Sequence, residues 1–308
     1  MNIIDKLIDG IYQKQNPTVL GLDTQVSHLP QDLLANIDQN NAQSICDGIF
    51  EYNKMLVDNL KDIIPAVKVQ IAYYELFGAQ GMQLFIDTVK YAKNAGMITI
   101  ADAKRNDIGS TAQAYSSAFL GETSLVNSAF SVIDSDMVTV NPYLGTDGIQ
   151  PFLDDCKKYD KGIFVLVKTS NPSSGEFQNL KCEDGKYLYE HVALKVEDWG
   201  EELLGESGYS SVGAVVGATY PQESGVLRKL MPRTFFLVPG YGAQGGTAQS
   251  LLPSFDEFGS GAIVNASRSI LAAHKKSDLP AVEAAKAEAL RMKADLLSAL
   301  GGKIKRKG

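Results

Sequence analysis

Short apolar runs recur along the chain and alternate with longer segments whose apolar residues follow helical spacing. The runs are rich in valine, isoleucine and leucine, and several of them end in a polar or charged residue. Such continuous runs are typical of parallel strands that are buried on both faces. The pattern predicts eight strands, at residues 19–23, 66–70, 97–104, 137–141, 162–170, 212–218, 234–239 and 261–266.

Helical patterns separate these predicted strands. One amphipathic helix is predicted before the first strand, with apolar residues at Ile3, Ile4, Leu7, Ile8 and Ile11. Further helices are predicted at residues 41–62, 79–95, 111–120, 147–157, 221–230, 247–253 and 279–299, and another includes Trp199. Eight successive βα units favour a single (β/α)8 barrel, or TIM barrel, over an open doubly wound sheet. We expect one domain over residues 1–308, with functional residues at the carboxyl ends of its strands.

Composition excludes several classes of protein. Hydrophobic residues make up 44% of the chain and charged residues 21%, as in ordinary globular enzymes. The net charge of −7 argues against a nucleic-acid surface, and no long uncharged apolar run predicts a membrane span. Acidic residues in the first helix distinguish it from a signal peptide. The basic segment at residues 303–307 is expected to be a frayed tail after the last helix.

The cysteines and histidines carry no metal-binding or disulfide pattern. The three cysteines, Cys46, Cys156 and Cys182, form no C-x-x-C pair, so neither a zinc ribbon nor a disulfide framework is predicted. The three histidines are also far apart in sequence. We therefore expect a cytoplasmic protein that uses no metal.

A cluster of charges follows the third apolar run, where Asp102, Lys104 and Asp107 form a D-x-K-x-x-D pattern. Side chains two apart on a strand share a face, so Asp102 and Lys104 should point the same way. Asp107 follows just past the strand end. Two carboxylates beside one ammonium would keep the lysine charged and bring fixed negative charge into a site. The pattern alone fits a salt-bridged strand end equally well.

Other strand ends strengthen the functional interpretation. Asp23, Lys68 and Asn141 lie at or near the ends of three other predicted strands. In a barrel these ends converge, so their side chains should project near one mouth together with Asp102 and Lys104. Collecting charges at one mouth is costly because they lose solvation, which favours a functional site over a structural one.

A phosphate site is predicted at the last two strands. A glycine-rich segment, Val238–Gly246, follows the seventh strand, and Arg268 follows the eighth. The loops after strands seven and eight are the recurrent phosphate site of this fold, where backbone N–H groups and an arginine share the charge. The glycine-rich segment alone is also consistent with a tight turn. Together with Arg268 it favours phosphate binding.

The segment Asp102-Ala-Lys-Arg-Asn-Asp-Ile-Gly-Ser-Thr111 closely resembles the signature of the orotidine 5′-phosphate decarboxylases. The chain is similar over nearly its whole length to the longer bacterial form (type 2) of that family. The resemblance implies decarboxylation of orotidine 5′-phosphate to uridine 5′-phosphate in de novo pyrimidine biosynthesis. It also implies a homodimer whose active sites are shared between subunits, without a metal, cofactor, nucleic acid or membrane partner.

The resemblance further implies roles for individual residues. The catalytic array would be Lys68, Asp102, Lys104 and Asp107, and the substrate-binding residues would be Asp23, Ile108, Thr111, Asn141, Thr169, Ser170, Gly242, Gln244 and Arg268. Asp23 would bind the ribose, while Asp107, Ile108 and Thr111 would reach into the neighbouring subunit's site. Thr169 and Ser170 would contact the pyrimidine, and Gln244 and Arg268 the phosphate. Residues 171–209 are longer than in the short forms, so their correspondence stays open.

Lys104 suits the chemistry that this resemblance implies. Loss of CO2 leaves a carbanion at C6 with no adjacent carbonyl to accept the charge, so a preorganised cation is the main help that a protein can offer. Lys104 would stabilise that carbanion and protonate it, with Asp102 beside the departing carboxylate.

Two other functions compete with this one. A magnesium-dependent sugar-acid phosphate decarboxylase of the same superfamily would share the D-x-K-x-x-D strand, but would place a glutamate ligand where this chain has Lys68. A catalytically silent barrel that binds a nucleotide is the second alternative. The complete charge array argues against it.

Overall fold

Eight parallel strands close into a barrel in the computed structural model, which describes residues 1–242 and 246–306. The strands are β1 Thr18–Leu22, β2 Ala66–Gln70, β3 Ile98–Arg105, β4 Met137–Val140, β5 Gly162–Lys168, β6 Ser210–Val216, β7 Thr234–Val238 and β8 Ala262–Ala266. Each strand pairs with the next in sequence, and β1 also pairs with β8 to close the barrel. The predicted (β/α)8 barrel is confirmed, with strand ends shifted by at most two residues.

Helices surround the barrel in the order that the sequence predicts. The longer ones are α1 Ile3–Lys14, α2 Ala42–Leu60, α3 Gly78–Asn94, α4 Gly109–Phe119, α5 Thr146–Tyr159, α6 Leu188–Trp199, α7 Pro221–Leu230 and α8 Ala281–Ala299. Shorter α-helices lie at Gln31–Ala35, Ala72–Glu75, Gly175–Gln178, Ala248–Leu251 and Arg268–Leu271, and 3₁₀ turns at Val26–His28, Pro172–Ser174, Glu201–Leu203, Leu252–Ser254 and Ala273–Lys276. Among the described residues, no helix is long and apolar enough to cross a membrane.

Side chains alternate between two apolar layers along each strand, as the pleat requires. On β2, Val67 and Val69 belong to the larger layer, with the surrounding helices, while Ala66 belongs to the smaller one. The smaller layer contains inward residues of the strands together with the apolar face of α1. Helix α1 therefore packs against the interior of the barrel at the amino ends of the strands. The polar residues that follow on the same inward face lie at the carboxyl ends.

The chain between α4 and β4 contains a two-stranded antiparallel hairpin, Thr123–Ser124 with Ala129–Phe130, that the sequence pattern did not predict. Two residues are too few to show a period of two, so no strand signal was available. The hairpin carries exposed apolar side chains, including Val126, which is 97% exposed.

The expected frayed tail is wrong for residues 303–306. Ile304 is buried, only 2% exposed, in the same apolar layer as α1. The side chain of Gln15 both accepts from the Ile304 N–H and donates to the Ile304 carbonyl, at 3.0 and 3.1 Å. Arg306 pairs with Asp9 at 2.8 Å. The tail is docked because one isoleucine among its lysines fits an apolar position beside α1.

Candidate active site

A cavity of about 590 Å³ lies at the carboxyl ends of the strands. Seven of the site residues that the sequence predicts line it, namely Asp23, Lys68, Asp102, Lys104, Thr169, Ser170 and Arg268. They come from β1, β2, β3, β5 and β8 or from the loops that follow these strands. The expected convergence of these residues at one mouth is therefore observed.

Asp102 forms the centre of a charged network in this cavity. Its Oδ2 atom accepts from the Lys68 ammonium at 2.8 Å, and its Oδ1 atom accepts from the Lys104 ammonium at 2.6 Å. Lys68 also contacts Asp23, at 3.3 Å. Two carboxylates and two ammonium groups therefore alternate across the cavity in the order Asp23, Lys68, Asp102, Lys104.

Pairing keeps Lys68 and Asp102 ionised in spite of their burial. Lys68 and Asp102 are only 4% and 7% exposed. Burial opposes charge on Asp102, but the ammonium groups of Lys68 and Lys104 outweigh it and hold the pKa of Asp102 well below its usual range. Burial likewise opposes charge on Lys68, yet the carboxylates of Asp102 and Asp23 raise its pKa above that of an ordinary lysine. The cavity is thus preorganised with fixed charges.

Two further residues that sequence reasoning missed complete the shell around Asp102. Gln70 donates to its Oδ2 atom at 2.9 Å, and Thr139 donates to its Oδ1 atom at 2.9 Å. Gln70 lies two residues after Lys68, so the same alternation that places Lys68 inside the barrel would have identified it. Thr139 on β4 gave no comparable signal, because threonine is common in strands.

Thr139 also organises the backbone around Lys104. Its hydroxyl oxygen accepts from the N–H groups of Ala103 and Lys104 at 3.0 and 2.9 Å. The register between β3 and β4 shifts between Ala101 and Arg105, and Lys104 has a left-handed φ of 49°. The predicted contact of Lys104 with Asp102 is confirmed, but it forms through an irregular backbone and not through ordinary strand alternation.

The residues that follow β3 lie away from this network. The Oδ1 atom of Asp107 accepts from the adjacent N–H of Ile108 at 2.8 Å, and within the described chain Asp107 makes no ion pair. Ile108 is 53% exposed, and Thr111 is exposed near the start of α4. None of these three residues is among those that line the cavity. The two carboxylates of the D-x-K-x-x-D pattern therefore do not both flank Lys104 in one chain.

The expectation that Asn141 projects into the mouth of the barrel is wrong. It follows the last residue of β4, and its side-chain oxygen accepts from the Tyr143 N–H at 3.0 Å. It does not line the cavity. An asparagine just after a strand readily caps its own loop in this way, and the inward polar residue of β4 is instead Thr139.

The predicted phosphate loops lie beside each other. Arg268 begins the short helix Arg268–Leu271 and lines both the main cavity and a neighbouring one, where Gly242 lies. Gly240 lines the main cavity and has a φ of 105°, a conformation that glycine adopts readily. Arg268 makes no ion pair with a carboxylate in the part of the chain that the structure describes, so its guanidinium is available to an anion. Gln244 lies outside the described residues.

The model of the orotidine 5′-phosphate decarboxylase / HUMPS family matches residues 31–287. The chain belongs to this family. A Caldicellulosiruptor bescii protein named orotidine 5′-phosphate decarboxylase is 42% identical over 89% of this chain and 91% of its own length. A Clostridium botulinum (strain Hall) protein of the same name is 44% identical over 90% of this chain and 91% of its own.

Solved structures of the orotidine 5′-phosphate decarboxylase family share the architecture as well. The structure of Leishmania donovani OMP decarboxylase is 30% identical and superposes with a TM-score of 0.72. The superposition covers 96% of this chain and 100% of the Leishmania donovani chain. The resemblance inferred from the residues 102–111 is therefore confirmed at the level of the family and of the barrel.

One wall of the cavity of this family member was not predicted. The segment after β5 contributes Asn171 and Gln178. The other lining residues that the sequence did not single out individually are Gln25, His28, Tyr73, Leu166, Val215, Leu237, Pro239, Gly240, Tyr241, Asn265 and Ser267. Most of them are apolar residues or loop residues whose types carry no chemical signal in a sequence. Within the described ranges, no group of three or more His, Cys, Asp or Glu side chains is arranged to hold a metal ion.

Proposed function

We propose that this protein decarboxylates orotidine 5′-phosphate to uridine 5′-phosphate in pyrimidine biosynthesis, with Lys104 as the group that stabilises and protonates C6. The observation that carries the proposal is the buried Lys68–Asp102–Lys104 network on the wall of the cavity. Family membership and the names of relatives that are more than 40% identical support the same reaction.

Lys104 is the most exposed member of the network, with 46% of its side chain accessible, and so it can meet a ligand. When the bond from C6 to the carboxylate breaks, the electron pair stays on C6 and CO2 departs. The ammonium lies where this negative charge develops and transfers one proton to C6. Uridine 5′-phosphate and a neutral amine result, and the amine regains its proton from solvent.

Asp102 and Lys68 would prepare Lys104 for this step. The carboxylate of Asp102 bonds the Lys104 ammonium at 2.6 Å and would lie near the departing carboxylate. Lys68 and Gln70 hold the other oxygen of Asp102, so that it cannot rotate away. Positions that are fixed before the substrate arrives need no reorganisation during the reaction, and this is the main source of electrostatic catalysis.

The remaining cavity residues would orient the nucleotide. We assign the ribose hydroxyls to Asp23, the pyrimidine to Thr169 and Ser170, and the phosphate to Arg268 with Gly242 and Gln244. The lining of the cavity by Asp23, Thr169, Ser170 and Arg268 supports this placement. Binding the phosphate far from C6 supplies energy that can be used in the transition state.

We further propose a homodimer in which Asp107, Ile108 and Thr111 complete the site of the partner subunit. Asp107 lies outside the network of its own chain, which supports a role elsewhere. The loops at this side of the barrel also expose large apolar side chains, including Ile108 at 53%, Tyr143 at 84% and Leu144 at 45%. Apolar surface of this kind is typical of a subunit interface.

The whole chain is proposed to act as one domain in the cytoplasm. Burial of Ile304 against the layer that contains α1 joins the two ends of the chain in one apolar layer, which supports a single domain. The three cysteines are free thiols, as expected in a reducing compartment.

Exhaustive chelation is expected to leave the decarboxylation of orotidine 5′-phosphate unchanged, because both oxygens of Asp102 are held by protein donors and Lys68 supplies the neighbouring cation. The loss of orotate absorbance measures the reaction. A magnesium-dependent enzyme treated in the same way is the control for complete chelation. Activity that is lost and then restored by Mg2+ would favour the sugar-acid phosphate decarboxylase instead.

Arg268→Ala is expected to raise KM for orotidine 5′-phosphate by roughly 10- to 100-fold, since a charge-assisted hydrogen bond contributes about 1.5–3 kcal/mol. Turnover of orotidine, which lacks the phosphate, should change by less than about twofold, since it loses no such bond. Arg306→Ala is the matched control, because Arg306 pairs with Asp9 on α1, which packs at the other end of the barrel. Equal losses for the two substrates would contradict a phosphate-binding role.

A further inference from the structure

The segment between β5 and α6 forms part of the cavity wall. After Lys168 it passes through the turn Pro172–Ser174 and the short helix Gly175–Gln178, and it reaches α6 at Leu188. Its Asn171 and Gln178 line the cavity next to Thr169 and Ser170. The shape of the cavity beside β5 therefore depends on how this segment is held.

Gln178 binds Thr169 at two points. Its side-chain oxygen accepts from the Thr169 N–H at 3.0 Å, and its amide nitrogen donates to the Thr169 hydroxyl at 2.8 Å. That hydroxyl in turn donates to the side-chain oxygen of Asn171 at 2.6 Å. Gln178 thus fixes both the backbone and the side-chain rotamer of Thr169.

Lys168 makes an adjacent contact to the same segment. Its ammonium donates to the side-chain oxygen of Asn179 at 2.7 Å. It also lies 5.3 Å from the ring centre of Tyr189 on α6 and 4.6 Å from that of Tyr220, the residue before α7. The residue is 1% exposed, and within the described chain it makes no ion pair with a carboxylate. It does not line the cavity.

The buried ammonium of Lys168 stabilises the present position of the segment. Burial lowers the pKa of Lys168 below that of an ordinary lysine, although electrostatic interactions with Tyr220 and Glu223 oppose this. An ammonium without a carboxylate needs other partners, and here these are the Asn179 oxygen and two aromatic rings. If the segment moved away, the ammonium would lose its only side-chain hydrogen bond among the described residues.

We propose that Lys168 is a positioning residue for the pyrimidine end of the substrate. By holding Asn179 it fixes the end of the helix Gly175–Gln178, keeps Gln178 on Thr169 and so sets the wall against which the base lies. This inference rests on the proposed function, since it assigns the base to Thr169 and Ser170. Lys168 acts through its neighbours and does not touch the substrate.

The test compares two ligands that share the phosphate and ribose but differ in the base. Binding of uridine 5′-phosphate and of ribose 5-phosphate is measured for the wild type and for Lys168→Met, which keeps an unbranched chain between the two tyrosines. We expect uridine 5′-phosphate to bind at least about tenfold more weakly, since small displacements of positioning groups have large effects. Binding of ribose 5-phosphate should change by less than about twofold, since it lacks the group that meets this wall.

Asn179→Ala removes the other half of the contact from an exposed loop position and therefore tests the role even where Lys168→Met does not fold. The double variant should lose no more affinity than the larger single loss, because both changes break one interaction. Lys181→Met, an exposed lysine of the same segment, is the matched control and should bind both ligands like the wild type.

Four results would overturn the inference. Equal weakening of both ligands would show a general loosening of the barrel. Unchanged binding of uridine 5′-phosphate, or additive losses in the double variant, would show that the contact does not position the base. Wild-type protein that binds ribose 5-phosphate but not uridine 5′-phosphate would overturn the proposed function together with this role, whereas the first three results leave the function intact.

Discussion

Lys104→Ala is expected to lower kcat for orotidine 5′-phosphate by at least about 10⁴-fold, because one change removes both the proton donor and the cation beside C6. General acids typically contribute about 10²–10⁴-fold, and preorganised electrostatic groups roughly 10²–10³-fold. Asp102 would remain ionised beside Lys68, at 2.8 Å, but nothing would balance its charge on the substrate side. Orotate absorbance over a long incubation measures the residual rate.

The fold of this variant can be checked independently. Binding of uridine 5′-phosphate should persist, because the residues assigned to ribose and phosphate are untouched. Lys90→Ala is the matched control, since Lys90 is an exposed lysine on α3. A loss of less than about tenfold for Lys104→Ala would mean that another group protonates C6, since general acids normally contribute more than this.

Mixing inactive Lys104→Ala and inactive Asp107→Ala proteins is expected to restore activity if each site takes Asp107 from its partner. After full exchange half of the dimers are mixed, and one site in each of these has both residues intact. Specific activity should therefore recover to about a quarter of the wild-type value, as expected of a two-fold symmetric dimer. Distinct affinity tags on the two variants allow the mixed dimers to be isolated and assayed.

The matched control mixes Lys104→Ala with Asp102→Ala. These two residues bond each other within one chain, at 2.6 Å, so no site in that mixture regains both. This mixture should stay inactive at any extent of subunit exchange. If the mixture with Asp107→Ala also stayed inactive after confirmed exchange, each chain would supply its own Asp107, and the shared site would be ruled out.

The barrel and most of its charged centre could be predicted from the local pattern of apolar and polar residues. Buried parallel strands give continuous apolar runs, so all eight strands could be located. Parallel strands in a closed barrel must also bring their carboxyl ends together. Lys68 and Asp102 could therefore be placed in one site although they are far apart in sequence, and the structure joins them at 2.8 Å.

Other features depend on contacts that a local pattern does not encode. Asn141 resembles a site residue in sequence but bonds its own loop. Thr139 is an unremarkable strand threonine until the irregular backbone of β3 brings two N–H groups to its hydroxyl. The buried position of Ile304 depends on the neighbouring α1. The partner of Lys168 is an asparagine eleven residues later, across a segment without periodicity.

The backbone at position 104 lowers the stability of the active form of this protein. With a φ of 49°, Lys104 adopts a conformation that costs a residue with a Cβ roughly 1–2 kcal/mol, and that glycine adopts freely. The side chain that the chemistry requires is therefore not the one that the backbone prefers. Stability and activity are opposed at this residue, as is common where function is built on a conformation that the fold alone would not select. Efforts to raise thermal tolerance have to seek their gains elsewhere in the barrel.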